Sequence, residues 1–153
     1  MALQTEATGF FVAPETITTE DAMPLVQLGR NNITALIVST GAMRPWGSSG
    51  AYFIVGNSTT AHSTAHTWMQ GASSTMKAMD AGYPTRATNV ATFRATFSTA
   101  EGNFAWNEWG ITNTTSTGDA NQSLLNRKVE DPSLGTKTSA QSWQITADIT
   151  FTT

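Results

Sequence analysis

Two stretches of the chain alternate strictly between apolar and polar residues. Over 89–97, Ala91, Phe93, Ala95 and Phe97 share one parity, and Thr92, Arg94 and Thr96 share the other. Over 143–152, Trp143, Ile145, Ala147, Ile149 and Phe151 alternate with Gln144, Thr146, Asp148, Thr150 and Thr152. A period of two belongs to a strand with one packed face and one wet face. Two such strands predict an antiparallel sheet with a buried inner side. Residues 51–56 (AYFIVG) are apolar throughout, which predicts a strand covered on both faces. A further strand is read at 123–129.

In 103–111, Phe104 and Trp106 share one parity while Trp109 and Ile111 share the other. This change predicts a β-bulge at Asn107 and Glu108. Segments 57–60, 112–120 and 131–139 are rich in turn formers, and 81–84 reads as a turn. Segment 63–76 is small and polar, with Trp68 and Met69 in it. Residues 31–41 open with an Asn suited to a helix N-cap and close on Gly41, but carry β-branched Ile33, Ile37 and Val38. The reading leans to a short helix there. Near the start, Phe10, Phe11 and Val12 form an apolar cluster that is costly to leave in water. It predicts either an edge strand of the protein's own sheet or an arm that pairs with a neighbouring subunit.

Together these elements predict an all-β protein. The expected architecture is an antiparallel β-sandwich or jelly-roll-like single domain with at most one short helix. Residues 1–24 form the arm or edge strand and residues 25–153 the sandwich.

Composition supports this. Only 12% of the 153 residues are charged, about half the usual share. Thr, Ser, Asn and Gly fill the gap. Thr is β-branched and suits a pleated, half-exposed surface. Uncharged polar faces are also cheaper to desolvate than charged ones, so such a surface suits being covered. With no Cys, neither a disulfide framework nor a thiolate zinc site is available. The net charge is −3 and the cations are scattered, which argues against direct binding to nucleic acid. The first residues lack the pattern of a secretion signal. No apolar stretch approaches the roughly 20 residues that span a bilayer. Synthesis in the cytoplasm and no membrane partner are expected.

Little in the chain points to catalysis. His62 and His66 have the spacing of two zinc ligands on a helix, but Ser63 stands where a metalloprotease has Glu. They are read as loop or surface histidines. Glu101 and Glu108 could form a glycosidase pair, and Glu108, between two tryptophans, would have a raised pKa if buried. No catalytic, cofactor or metal residue is assigned, and the chain is not expected to be an enzyme. Of the five tryptophans, Trp106 and Trp143 are assigned to core packing. Trp46, beside Pro45 and a Gly-Ser-Ser-Gly loop, is the best candidate for an exposed anchor. The interface candidates are therefore Phe10, Phe11, Val12, Pro45 and Trp46.

The wording at 76–84 (MKAMDAGYP), 95–111 (ATFSTAEGNFAWNEWGI), 124–129 (LLNRKV) and 134–152 (LGTKTSAQSWQITADITFT) resembles a group of small tailed-bacteriophage virion proteins. Residues 31–35 and 52–57 resemble positions of phage tail-collar and fibre-attachment domains. There Asn57 and Ser58 replace the family's usual Asp and Gly. The resemblance covers about 31–153 and implies a non-catalytic virion β-sandwich, in head or tail. A tail fibre continues into long repeats, and nothing follows Thr153 here, which favours a capsid decoration (cement) protein on the outer head surface. Its partners would be the major capsid protein and copies of itself, a trimer suiting the three-fold positions of a shell. Tail, baseplate or fibre proteins are the alternative partners. A carbohydrate-binding module is the second alternative.

Overall fold

The structure is a computed structural model that describes residues 3–9, 45–47, 50–115 and 124–151. Ten strands follow in order: β1 (Leu3–Gly9), β2 (Tyr52–Gly56), β3 (Ser74–Ala78), β4 (Thr85–Ala87), β5 (Val90–Phe97), β6 (Ala105–Trp106), β7 (Glu108–Thr112), β8 (Leu124–Val129), β9 (Gly135–Thr136) and β10 (Trp143–Phe151). No helix occurs among the described residues. One four-stranded antiparallel sheet has the order β1-β10-β5-β4 and the other β3-β2-β7-β8; β6 and β9 form a two-stranded ribbon. The predicted helix at 31–41 and the cluster Phe10, Phe11 and Val12 lie outside the described residues.

The two alternating stretches are neighbours. β5 and β10 pair along their length, Trp143 opposite Phe97 and Ile149 opposite Ala91. Their apolar parity, Phe93, Ala95, Phe97, Ile145, Ala147 and Ile149, is buried. It packs against Phe53, Val55, Trp109, Ile111 and Leu125 of the second sheet, which closes the sandwich core. Aromatic edges lock one end of it: Phe97 meets Trp106 with ring centroids 4.9 Å apart, and Trp106 meets Trp143 at 5.0 Å. Such edge-to-face pairs exceed their area burial by about 0.5–1.5 kcal/mol.

β2 is covered on both faces, as its apolar run predicts. Phe53 and Val55 face the main core, whereas Ile54 joins Met69 and Leu124 in a second, smaller cluster on the outer side. The cover on that side is loop 57–73, which carries Trp68 and Met69.

Several expectations need correction. The change of parity near Asn107 is not a bulge within one strand. The chain passes there from β6, paired with β9, to β7, paired with β2 and β8. The register shift comes later, between Ile111 and Thr112, opposite β8. Adjacent Leu124 and Leu125 enter different clusters, as alternation along a strand requires. Within 1–24 an edge strand does form, Leu3–Gly9, and it pairs with β10 of the same chain, as one of the two expected arrangements has it. β3 falls at the end of the small polar segment, where no alternation announces it.

Close approach explains Gly110. A Cβ on it would meet the backbone carbonyl of Asn126, with the Met69 methyl at 3.0 Å and Leu124 at 3.1 Å. Gly110→Ala is expected to destabilise by about 1–3 kcal/mol, the usual cost of overpacking. Gly47→Ala, where nothing lies within 4 Å of the added methyl, should be near neutral. Urea midpoints of the two variants check the contrast.

Candidate functional site

Among the described residues most basic side chains have internal partners, and the most deeply buried ion pair lies on the outer side of the second sheet. Glu108 and Arg127 are both fully buried, and Arg127 Nε donates to Glu108 Oε2 at 2.6 Å. Alternation along β7 and β8 puts both side chains on the face away from the main core. Loop 57–73 closes over them. Glu108 accepts from the amides of Ser58 (3.4 Å), Gln70 (3.1 Å) and Gly71 (2.8 Å). Arg127 Nη2 donates to the Thr60 carbonyl at 2.9 Å, and Nη1 lies 3.2 Å from His66 Nδ1. Burying two charges is costly unless every lone pair and proton is matched. Here both ends of the loop supply the matches.

The two histidines are part of this clasp. His62 Nδ1 lies 3.0 Å from the Arg127 carbonyl and so donates to it, closing a backbone group on the outer edge of β8. His66 Nδ1 also receives the Ser63 amide at 3.2 Å. Burial lowers both imidazoles below their ordinary 6.5, and the Arg127 guanidinium adds to the effect. Among the described residues, no three His, Asp or Glu side chains gather as a metal site. The predicted loop placement of His62 and His66 holds. Their engagement with Arg127 was not legible from spacing.

Glu101, the other carboxylate weighed for catalysis, has separate partners. Both its oxygens take Lys77 Nζ at 2.8 Å, and Ser98 adds its amide and hydroxyl. The Lys77 ammonium, first, and these Ser98 hydrogen bonds hold its carboxyl down at about 2. Among the other described cations, Arg86 is exposed and donates to the Thr88 carbonyl, whereas three have side-chain partners. Arg94 pairs with Asp80 and stacks over Tyr83, Lys128 pairs with Glu130, and Lys137 Nζ donates to Asn103 Oδ1. Burial lowers the Lys137 ammonium.

The outer face of the first sheet therefore offers mostly hydroxyls and amides. Register brings Thr96 opposite Gln144, Arg94 opposite Thr146, and Thr92 opposite Asp148, with Thr150 beyond. Where β4 ends, Asp80 takes over the edge of β5: its amide donates to the Arg94 carbonyl and its carboxylate accepts the Thr96 amide.

Of the interface candidates, Pro45 is exposed. Trp46 is not an exposed anchor. It is half-buried and packs against the main core, where its large indole area is removed from water. Trp106 and Trp109 are buried, and Trp68 and Trp143 are half-buried. None of the five tryptophans is an open platform for sugar stacking.

No family model matches the chain, and no curated protein or solved structure matches it.

Arg127→Met leaves Glu108 buried without its countercharge and is expected to cost about 3–5 kcal/mol. Glu108→Gln with Arg127→Met should cost clearly less, because the neutral amide still accepts the loop amides. Denaturant midpoints compare the two. Carboxyl NMR should show Glu101 titrating near 2. Its contribution to stability is full above the ordinary 4.5 and is lost as pH falls towards about 2. Lys77→Ala should move that titration back up.

Proposed function

We propose that the chain is a structural protein of a tailed-bacteriophage particle, a β-sandwich that decorates the capsid and cements it through contacts with the major capsid protein and with copies of itself. The observation that carries this reading is the Thr-lined outer face of the first sheet, in a structure most of whose described cations are held in ion pairs. Lys77, Arg94, Arg127 and Lys128 are each held in an internal ion pair. Such a face offers mainly hydrogen-bonding hydroxyls, with Arg94 and Asp148 as its charged members, and so costs less to desolvate than a densely charged one, which suits broad, moderate contacts repeated over a shell. Repetition supplies avidity, so each contact can be weak. The virion wording of the sequence points the same way. Half-buried tryptophans and the internally committed Glu101 and Glu108 favour this reading over a sugar-binding module or a glycosidase.

Purified protein mixed with expanded capsids that lack it should co-sediment with them. Binding should fall only weakly between low and high salt, because few free charges take part. Thr92→Lys with Thr146→Lys should weaken it by at least about tenfold, a loss of about 1.4 kcal/mol. Binding to isolated tails instead of capsids would assign the protein to the tail. Binding to glycans alone would overturn the virion reading.

A further inference from the structure

The hydrogen bonds of the clasp specify the protonation state of both histidines. His66 Nδ1 faces two donors, the Ser63 amide and Arg127 Nη1. It must be an acceptor, so a proton there would displace both and stand against a guanidinium. His62 is the reverse case. Its Nδ1 carries the proton donated to the Arg127 carbonyl, and its Nε2 is buried without a hydrogen-bond partner. A second proton would have no acceptor. The rings themselves are 6.2 Å apart, edge to face. The charged groups that meet the imidazoles are Arg127 of β8, Glu108 of β7 and each other. The Arg127 guanidinium disfavours a proton on either ring, whereas the hydrogen bond to the Arg127 carbonyl favours the charged form of His62 and Glu108 favours that of His66.

We propose that loop 57–73 is an acid-released strap, held down at neutral pH by uncharged His62 and His66 and let go when they take up protons. Beneath it lie Ile54 and Leu124, packed by Met69 with Trp68 and Met76 against them. Release therefore uncovers an apolar patch on the outer side of the second sheet and the Arg127 carbonyl on the edge of β8. The two sheets of the main core do not depend on either imidazole, so the strap opens while the sandwich stays folded.

The sign follows from linkage. Both imidazoles are depressed when the strap is closed and ordinary when it is open. Closure is then fully favoured above 6.5 and is lost as pH falls through the lowered values. One proton taken up on opening raises the opening constant about tenfold per pH unit, and two raise it about a hundredfold.

The test is amide hydrogen exchange by NMR, expressed as protection factors so that the intrinsic pH dependence cancels. Protection of Gln70 and Gly71, whose amides bond Glu108, should fall as pH is lowered past 6.5, with a slope of at most about two decades per unit. Amides of β5 and β10 should keep theirs. The fall should coincide with titration of His62 and His66, followed by their ring resonances in the same sample. His62→Asn with His66→Asn keeps a donor and an acceptor at the Nδ1 positions but removes the titration, so it should stay closed through that window. Constant protection in the native protein, or an equal fall in the double variant, would overturn the proposal. Should the double variant fail to fold, the coincidence of the two native curves decides.

Discussion

A carboxylate and a guanidinium, both shut away from water, organise the outer half of this sandwich. Glu108 and Arg127 stand on adjacent strands, and each would be expensive to bury alone. Their charges are matched by one another and by loop amides and a loop carbonyl. The loop is therefore held at defined points instead of resting on a greasy surface. Neighbouring residues follow from the same constraint. Gly56 is small because a Cβ would come within 2.5 Å of Glu108 Oε1. Asn107 ties the loop's start by donating from Nδ2 to the Asn57 carbonyl. Gly110 leaves room for Met69. A pair of this kind contributes modestly to net stability, but it makes one arrangement of the loop far better than the others.

This gives physical content to the wording that carries the virion resemblance. In Asn107-Glu108-Trp109-Gly110, the first residue ties the loop, the second anchors the clasp, the third fills the core and the fourth makes space. In β8, Leu124 and Leu125 divide between the two clusters, Asn126 Oδ1 accepts the Ile111 amide at the register shift, and Arg127 completes the clasp. These residues build the fold; they are not a surface signature.

The strands with a repeating pattern were legible, β5 and β10 from alternation and β2 from its unbroken apolar run, and a strand was read where β8 lies. What stayed hidden has physical causes. β3 is an edge strand whose residues need not alternate, because only one neighbour and part of one face constrain it. The passage from β6 to β7 shifts parity as a bulge does, and periodicity alone does not distinguish a change of sheet from a bulge. The clasp was out of reach because Glu108, Arg127, His62 and His66 meet across separations of up to 65 residues. Trp46 looked exposed because its neighbours in sequence are turn formers; its neighbours in space are the core.

The ion pairs among the described residues leave an outer surface suited to contact more than to chemistry, which supports the proposal that the protein belongs to the shell of a phage head. Gold-labelled antibody against the protein, applied to intact particles and viewed by electron microscopy, tests the assignment most directly. Gold spread over the head is the expected result. Gold confined to the tail would contradict it.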